Sequence, residues 1–331
     1  MKISIIIPFK NELDEIDGVI SHLLSSSCTN SVDIEIIVVN DGSVYGSGRF
    51  CSLELDYPNV KVINNHKSFG VGYAFDRGVE NCTSEIIVLM GCDVFPKEGW
   101  YDKVIEAVQN NPNTLGNAVC IGDKTPYTKH YGADLLFTVG NDDLPLKSKL
   151  RERRGGYTSL FKARWKDRVS NEPYEIPCLL GAFYFTSKTY YNLLGGWDTV
   201  RNDINRGFRS WGHLEPFISL KSWLYGGGCT LYPDIEATHI FGRIDIYNQW
   251  KKGGRSAEWQ WWNCLWALET MILSDFTRNR LYDFVNPELN FGVAQKMIRD
   301  NKVTIERVKE RNHLEFQNDL SIFETKFGYK I

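Results

Sequence analysis

One carboxylate, Asp93, follows directly after an apolar stretch of the kind that forms a buried strand. The stretch covers residues 85–90, and Gly91 and Cys92 separate it from the acid. Mg²⁺ and similar hard cations prefer oxygen ligands and often bind through one or two protein carboxylates plus substrate phosphates, keeping several waters. Asp93 is therefore a candidate metal ligand, and the alternative is a turn residue after a strand.

A histidine and a glutamate could also take part in chemistry. His239 ends a short strand-like segment, and imidazole is an acceptable Mn²⁺ ligand, although a lone histidine is more often structural. Glu215 lies at the expected start of a helix, immediately before Pro216. The helix dipole favours an acid there, so a structural role stands beside that of a general base aimed into a cleft.

Two glycine-containing turns could hold a phosphate-bearing ligand. Asn40-Asp41-Gly42-Ser43 offers an acid that could accept a hydrogen bond from a base or a ribose hydroxyl, although Asn-Asp-Gly is also a common turn. Residues 67–74, KSFGVGYA, open a helix, and phosphates are favoured at helix N-termini. The segment is neither a GxGxxG fingerprint nor a Walker loop, which disfavours the usual dinucleotide and P-loop functions.

These candidate residues fall at the ends of predicted strands. Runs rich in Ile and Val at 3–8, 33–40, 60–64, 85–90 and 118–121 alternate with helix-like segments at 11–24, 70–81 and 100–109. Regular β-α-β alternation predicts an α/β fold with a doubly wound, mostly parallel, Rossmann-like sheet. Ligands of such sheets bind beyond the carboxyl ends of the strands, which directs attention to residues 8–12, 40–43, 65–72 and 91–93.

The second half of the chain is less regular. Residues 126–178 are polar, basic and aromatic, which predicts long loops. We expect strands at 180–186, 229–232 and 235–239, and helices near 211–226, 256–273 and 294–311. The predicted organisation is a domain of residues 1–245 and a helical C-terminal extension of residues 246–331. Within the domain, the change of pattern divides residues 1–125 from residues 126–245.

Composition excludes several classes of protein. The 331-residue chain is 43% hydrophobic and 24% charged, with net charge −3, as expected of a globular protein. Its eight cysteines lack a CxxC pair, so reduced thiols are expected instead of a zinc site or a disulfide framework. The absence of a secretory signal and of an apolar window of about 18 residues predicts a cytoplasmic protein.

Positive charge is concentrated in one segment, residues 147–168. It contains nine Lys or Arg and two acids, a net charge of +7, interleaved with Tyr157, Phe161 and Trp165. The ordinary interpretation is a solvated face. The alternative is a surface for a polyanion, with phosphate contacts and stacked bases.

The order of these motifs resembles that of the family 2 glycosyltransferases, which have the GT-A fold. Residues 5–12 are similar to the family's opening IPxxNE, 38–43 to its V-[DN]-D-G-S, 70–78 to its helix after the third strand, 91–100 to its DxD segment and 195–198 to its GG[FWY]D. Trp211-Gly212 with Trp223, and His239-Ile240-Phe241 with Arg243, are similar to segments of polypeptide N-acetylgalactosaminyltransferases. The resemblance covers about residues 1–245. It implies that residues 1–125 form the nucleotide-binding half of the domain and residues 126–245 the acceptor and metal half.

The resemblance implies a metal-dependent transfer of one sugar from a nucleotide sugar, expected to be UDP-linked, to a hydroxyl acceptor. It assigns nucleotide-sugar binding to Pro8, Phe9, Glu12, Asp41, Gly72, Cys92 and Asp93, and acceptor or sugar binding to Gly181, Trp211 and Gly212. Asp93 and His239 would bind Mn²⁺ or Mg²⁺, which neutralises charge on the leaving nucleotide. Glu215 falls on the position of the general base.

Two positions depart from the family pattern. Gly91 replaces the first acid of DxD, and Leu214 replaces the first acid of the pair that ends in Glu215. The retaining N-acetylgalactosaminyltransferases have Asn at the position of Glu215, so a carboxylate there favours inversion. The chain has no QxxRW motif, which disfavours a processive polysaccharide synthase.

Other functions stay open at this point. A nucleotidyltransferase would need a Gly-rich, Arg-containing loop after the first strand, which residues 8–12 lack. The missing acids at 91 and 214 suggest a non-catalytic nucleotide-sugar-binding module as another alternative. The acceptor is a glycan precursor in the ordinary hypothesis, or a nucleic acid such as a hydroxymethylated DNA base bound by residues 147–168.

Overall fold

A computed structural model gives the fold of the chain. It describes residues 1–11, 13–26, 33–43, 53, 56–124, 128–138, 160–201, 203, 205–210, 212–241, 257–283 and 289–329. Some sequence predictions lie outside these residues: Glu12, Trp211, Arg243 and the part of the basic segment at 147–159.

Strands and helices alternate along the first half of the chain, and helices dominate its end. In chain order the elements are β1 (Lys2–Phe9), α1 (Leu13–Ser26), β2 (Asp33–Asn40), β3 (Val60–Asn64), α2 (Val71–Asn81), β4 (Ile86–Met90), β5 (Val94–Pro96), α3 (Trp100–Asn110), β6 (Leu115–Gly122), β7 (Lys129–His130), β8 (Ala133–Thr138), β9 (Leu160–Trp165), β10 (Tyr174–Glu175), β11 (Phe183–Ser187), α4 (Lys188–Leu194), α5 (Leu214–Leu224), β12 (Cys229–His239), α6 (Ala257–Met271), α7 (Asp275–Asp283), α8 (Leu289–Asp300), α9 (Lys302–Glu315) and α10 (Ser321–Phe327).

The central sheet has the strand order β10-β12-β6-β11-β4-β1-β2-β3, with β5 attached to β12 and β7 to β6. Strands β1 to β4 pair in parallel, as do β6 and β12, while β11 runs antiparallel between β4 and β6. The Ile residues of β1 are buried because helices cover both faces of the sheet. The predicted α/β fold with a mostly parallel, doubly wound sheet is confirmed.

The prediction of long loops over residues 126–178 is wrong for the residues that the structure describes there. Strands β8 and β9 form a separate antiparallel ribbon, in which Ala133 pairs with Trp165. Two strands of two residues each also form there: β10 pairs with β12 at one end of the main sheet, and β7 pairs with β6. Strands this short carry no periodicity, and the ribbon joins segments that are distant in sequence, so local patterns do not reveal them.

Strand β12 and the C-terminal helices also differ from the predicted boundaries. The two expected strands at 229–232 and 235–239 are one strand with a register shift between Tyr232 and Glu236. Pro233 lies at this irregularity, where its missing N–H cannot join the ladder. The single helix expected at 294–311 is divided between α8 and α9, with Asn301 between them.

Apolar side chains form one core cluster on each side of the sheet. One cluster contains Val19 of α1 and Trp100 of α3. The other contains Leu220 of α5 together with Trp262 and Trp266 of α6. The C-terminal helices therefore pack on the same core as the helix that begins with Leu214-Glu215. Within the described residues, no helix is long and apolar enough to cross a membrane.

Candidate active site

Asp93 and His239 meet at the carboxyl edge of the sheet. Asp93 lies between β4 and β5, and β5 pairs with the end of β12, so that His239 stands opposite Val94. The Oδ2 atom of Asp93 lies 3.3 Å from Nε2 of His239, and their side chains are 32% and 17% exposed. This pairing brings together two residues that are well separated in sequence and leaves both accessible to a ligand.

The pair fits part of the coordination shell of a divalent cation. Adjacent ligands of an octahedral ion lie about 3 Å apart, close to the observed separation. Nδ1 of His239 is buried and has no hydrogen-bond partner, whereas a metal-bound histidine usually has one on its second nitrogen. Among the described residues, no third His, Cys, Asp or Glu joins the pair. Such a site would need waters or substrate phosphates to complete the shell.

Glu215 is connected to the Asp93 segment by a chain of hydrogen bonds. The N–H of Gly91 donates to the carbonyl of Ala182 (3.0 Å), and the N–H of Ala182 donates to the hydroxyl oxygen of Tyr184 (2.8 Å). The Tyr184 hydroxyl in turn donates to Oε1 of Glu215 (3.0 Å). Burial raises the pKa of the Glu215 carboxyl above its ordinary value, although Tyr184 and the charge of His239 oppose the change.

The segment before α5 determines where Glu215 stands. His213 has a left-handed backbone (φ 58°), and its Nδ1 lies 3.0 Å from the carbonyl oxygen of Phe161. Asn263 of α6 donates to the carbonyls of Arg209 (2.7 Å) and Gly212 (3.1 Å). A backbone carbonyl of the ribbon and the Asn263 side chain of α6 thus hold the segment before α5.

Asp41 holds the loop between β3 and α2. Its two carboxylate oxygens accept bonds from four donors: the Asn65 amide (3.1 Å), the Ser68 hydroxyl (2.7 Å), and the backbone N–H groups of Phe69 (2.9 Å) and Gly70 (2.8 Å). These occupy about the four lone-pair sites that a carboxylate offers. Asp41 is therefore a loop anchor in this structure, and a contact with a nucleotide base would require one of these bonds to be exchanged.

Four other predicted donor or acceptor residues are buried at the same edge. The side chains of Phe9 and Cys92 belong to the core, so any contact they make with a ligand would come from their backbone. The carbonyl of Phe9 already accepts the N–H of Asp41 (2.9 Å). A β-carbon at Gly72 would lie 3.0 Å from Trp197, so this glycine allows close packing of α2. Gly181 has φ +110°, a backbone conformation that residues with a side chain adopt only with strain, and an added β-carbon would lie 2.5 Å from Cβ of Cys120.

Two cations in the described part of the basic segment pair with one acid, Asp134. Lys166 and Arg164 lie 2.6 Å and 3.1 Å from the carboxylate of Asp134. The ring of Trp165 stacks on His130, with 4.3 Å between the ring centroids. These contacts stabilise the ribbon formed by β8 and β9, and a phosphate would have to compete for the cations.

Sequence reasoning missed two buried acids that hold the Gly195-Gly196-Trp197-Asp198 turn. The first is Asp76 of α2, which accepts bonds from the Tyr191 hydroxyl (2.6 Å), the Trp197 N–H (3.1 Å) and the Thr199 hydroxyl (2.5 Å). Burial raises the pKa of Asp76 to about 6 in spite of these bonds. An acid within the helical pattern of residues 70–81 was the only available signal.

The second missed acid is Asp198, at the centre of a buried ion cluster. Its Oδ1 lies 2.6 Å from Nζ of Lys221 in α5 and 2.9 Å from Nη2 of Arg311 in α9. The side chains of Asp198 and Lys221 are fully buried. Burial works to raise the pKa of Asp198, but the two cations outweigh it and hold that pKa below its ordinary value. The cluster fastens the turn to the helix that carries Glu215 and to the C-terminal extension.

Replacing Asp76 by Asn should change how stability depends on pH. The folded-state pKa is raised, so protonation of Asp76 contributes stability that is fully present at low pH and is lost as the pH rises from about 4 to about 6. We expect the unfolding free energy of wild type, relative to Asp76→Asn, to fall across this range. Urea titrations at several pH values measure it, with the exposed Asp102→Asn as control. A difference that stays constant or grows with pH would contradict the assignment.

Comparisons of the sequence with known proteins show which families this chain is similar to. Residues 4–167 match the family model described as glycosyl transferase family 2. Polypeptide N-acetylgalactosaminyltransferase 5 of Caenorhabditis elegans is 24% identical over 196 residues, covering 59% of this chain and 29% of that protein. Dolichol-phosphate mannosyltransferase of Pyrococcus furiosus is 28% identical over 167 residues, covering 49% and 47%. The chain thus spans less than half the length of each of these two relatives.

A solved structure has the same architecture. GalNAc-T7, solved with UDP, GalNAc and Mn²⁺, superposes on 99% of this chain and 57% of its own, with a TM-score of 0.69 and 15% identity. At that identity the likeness concerns the fold alone.

Proposed function

We propose that this chain, which belongs to the family 2 glycosyltransferases and has their GT-A fold, transfers a single sugar from a UDP-linked donor to a hydroxyl acceptor with inversion at the anomeric carbon. The observation that carries the proposal is the meeting of three groups at one edge of the sheet. Asp93 and His239 lie 3.3 Å apart, and Glu215 is connected to the same segment through Ala182 and Tyr184.

The donor nucleotide would bind over the ends of β1, β2 and β3. Asp41 orders the loop of residues 65–70 ahead of α2, and backbone N–H groups at a helix N-terminus favour phosphate. Pro8, the residue before the last of β1, lies in register with Val39 of β2. Glu12, outside the described residues, remains a proposed nucleotide contact on the strength of the family motif.

Asp93 and His239 would hold Mn²⁺ or Mg²⁺, with the donor phosphates and water as further ligands. When bound, the ion neutralises the charge that develops on the leaving nucleoside diphosphate. The mixed carboxylate and imidazole pair suits Mn²⁺ in particular. The relative GalNAc-T7 was solved with Mn²⁺ and UDP, which supports this choice.

Glu215 would act as the general base for the acceptor hydroxyl. Its raised pKa makes the carboxylate a better proton acceptor than an exposed glutamate, and the Tyr184 hydroxyl orients one of its oxygens. Deprotonated oxygen then attacks the anomeric carbon as the bond to the nucleoside diphosphate breaks, so the proton ends on Glu215. A carboxylate that takes the proton of the acceptor hydroxyl during this attack is expected of direct displacement with inversion.

For the acceptor we favour a glycan precursor, with Gly181, Gly212 and Trp211 near it. A nucleic acid stays the second candidate because of the positive charge at 147–168, but Lys166 and Arg164 already pair with Asp134. Because these cations are already paired, we favour a glycan precursor over a nucleic acid as the acceptor.

A thermal-shift screen of nucleotide sugars, with and without Mn²⁺, tests the function. We expect a UDP-sugar to raise the melting temperature of wild type only when Mn²⁺ is present. Asp93→Ala should remove that Mn²⁺-dependent shift, because it deletes the carboxylate ligand, while exposed Asp102→Ala should retain it. An undiminished shift in Asp93→Ala would show that the metal binds elsewhere. Shifts without donor hydrolysis or transfer by wild type would favour the non-catalytic binding module.

A further inference from the structure

Gly91 stands where the family pattern has the first acid of DxD, and its backbone does not require glycine. Its φ angle lies outside the left-handed region that favours this residue. The N–H of Gly91 donates to the Ala182 carbonyl (3.0 Å), a bond that any residue except proline could make. The reason for a glycine must therefore be sought in the space around it.

That space is occupied by the carboxylate of Asp93. A β-carbon at position 91 would lie 2.7 Å from Oδ1 of Asp93, a distance that non-bonded atoms do not tolerate. The next nearest atoms, Cγ2 of Val94 at 3.4 Å and Cβ of Ala182 at 3.6 Å, would be in ordinary contact. Any side chain at 91 would thus displace one group above all, the Asp93 carboxylate.

The same orientation of the Asp93 carboxylate also sets its distance from His239. While Oδ1 lies over Gly91, Oδ2 lies 3.3 Å from Nε2 of His239. Because the two oxygens are fixed to one carbon, a shift of Oδ1 away from residue 91 also moves Oδ2 relative to the imidazole. The 3.3 Å separation between Asp93 and His239, which suits adjacent metal ligands, therefore depends on the absence of a side chain at position 91.

We propose that Gly91 is a positioning residue for the metal site: the absence of a side chain lets Asp93 stand against His239, and any side chain added at 91, an acid included, weakens divalent-cation binding. The inference rests on the proposed function, since it concerns the same site. It predicts that restoring the first acid of the family's DxD at position 91 lowers metal affinity in this chain. An aspartate at 91 brings the same β-carbon, while its negative charge by itself favours a cation and so acts against the predicted loss. Gly91→Asp is therefore the more demanding of the two variants.

The proposal also predicts what stays unchanged. The hydrogen bonds from Gly91 through Ala182 and Tyr184 to Glu215 involve backbone atoms and a tyrosine that a β-carbon at 91 does not crowd. A substitution at 91 should therefore leave fold and base in place and act on the metal alone. A purely structural role for Gly91 would instead lower the melting temperature without metal.

Titration of Mn²⁺ against the purified full chain, with free ion followed by electron paramagnetic resonance, tests the proposal. The proteins are wild type, Gly91→Ala, Gly91→Asp and the control Gly292→Ala, where an added β-carbon meets nothing within 4 Å. Each titration is done with Mn²⁺ alone and with UDP present. We expect both Gly91 variants to bind Mn²⁺ roughly tenfold to a hundredfold more weakly than wild type. Gly292→Ala should match wild type, and metal-free melting temperatures should agree.

Two results would overturn the proposal, and they are distinguishable. If wild type binds Mn²⁺ and Gly91→Asp binds it equally or more tightly, the positioning role is wrong while the metal site stands. If wild type binds no Mn²⁺ with or without UDP, the proposed metal-dependent function falls and the inference falls with it. Should Gly91→Asp fail to fold, Gly91→Ala decides alone, because it adds the β-carbon without the charge.

Discussion

Glu215→Gln should lower the rate of sugar transfer by roughly 10²- to 10⁴-fold, the usual contribution of a general base. Glutamine has nearly the same shape and can still accept the Tyr184 hydroxyl bond at its amide oxygen, but it cannot take the acceptor proton. Donor binding should be retained, so the Mn²⁺-dependent thermal shift by the UDP-sugar is unchanged. The measurement is kcat for transfer beside donor affinity.

The pH profile gives this variant a second signature. The pKa of Glu215 is raised by burial, so the wild-type rate should decline as the pH falls through that raised value and the base becomes protonated. Glu215→Gln should lack this decline of the rate at low pH. Exposed Glu106→Gln on α3 is the matched control and should behave as wild type. Retention of near-normal turnover by Glu215→Gln would exclude the base assignment and favour a structural role at the start of α5.

Asp198→Asn should cost about 3–5 kcal/mol of unfolding free energy, the usual effect of breaking a buried ion pair. The substitution keeps the shape and removes the charge, which leaves Lys221 fully buried near Arg311 without its carboxylate. Burial already lowers the pKa of Lys221 to about 8 with Asp198 in place. Urea unfolding of both proteins measures the loss.

A double-mutant cycle tests the reason for that loss. In Asp198→Asn with Lys221→Met the buried cation is gone as well, so the combined cost should be clearly smaller than the sum of the single costs. Asp300→Asn is the control, since it removes an exposed helical pair with Lys296 and should change stability by about 0.5 kcal/mol or less. Additive costs in the cycle would mean that the two residues do not act through their pairing.

Much of the fold follows from local patterns. The boundaries of β2 and β3 agree with the predicted ones, β4 and α2 differ by one residue at one end, and β1 is one residue longer at each end. These elements are long or strongly apolar, so their periodicity outweighs other influences. The ribbon of β8 and β9 was missed because its pairing joins two short segments that are distant in sequence.

The sequence alone also determined the class of the protein, because the order of loose motifs along residues 1–245 is specific even where each motif is weak. The resemblance to glycosyltransferase family 2 is confirmed, since the family model matches residues 4–167. The same motifs named Asp93, His239 and Glu215 as candidates before any geometry was known. Their chemical roles remain predictions.

The tertiary structure alone decided how those candidates are supported. Asp41 turned out to anchor a loop through four donors, Asp198 to pair with Lys221 and Arg311, and Asp93 to fill the space above Gly91. The physical reason is common to all three. A carboxylate's partners are chosen by which groups the packed core brings within hydrogen-bonding distance, and for Asp198 one of them lies more than a hundred residues away. Local sequence specifies the acid, and only the packed fold specifies what it binds.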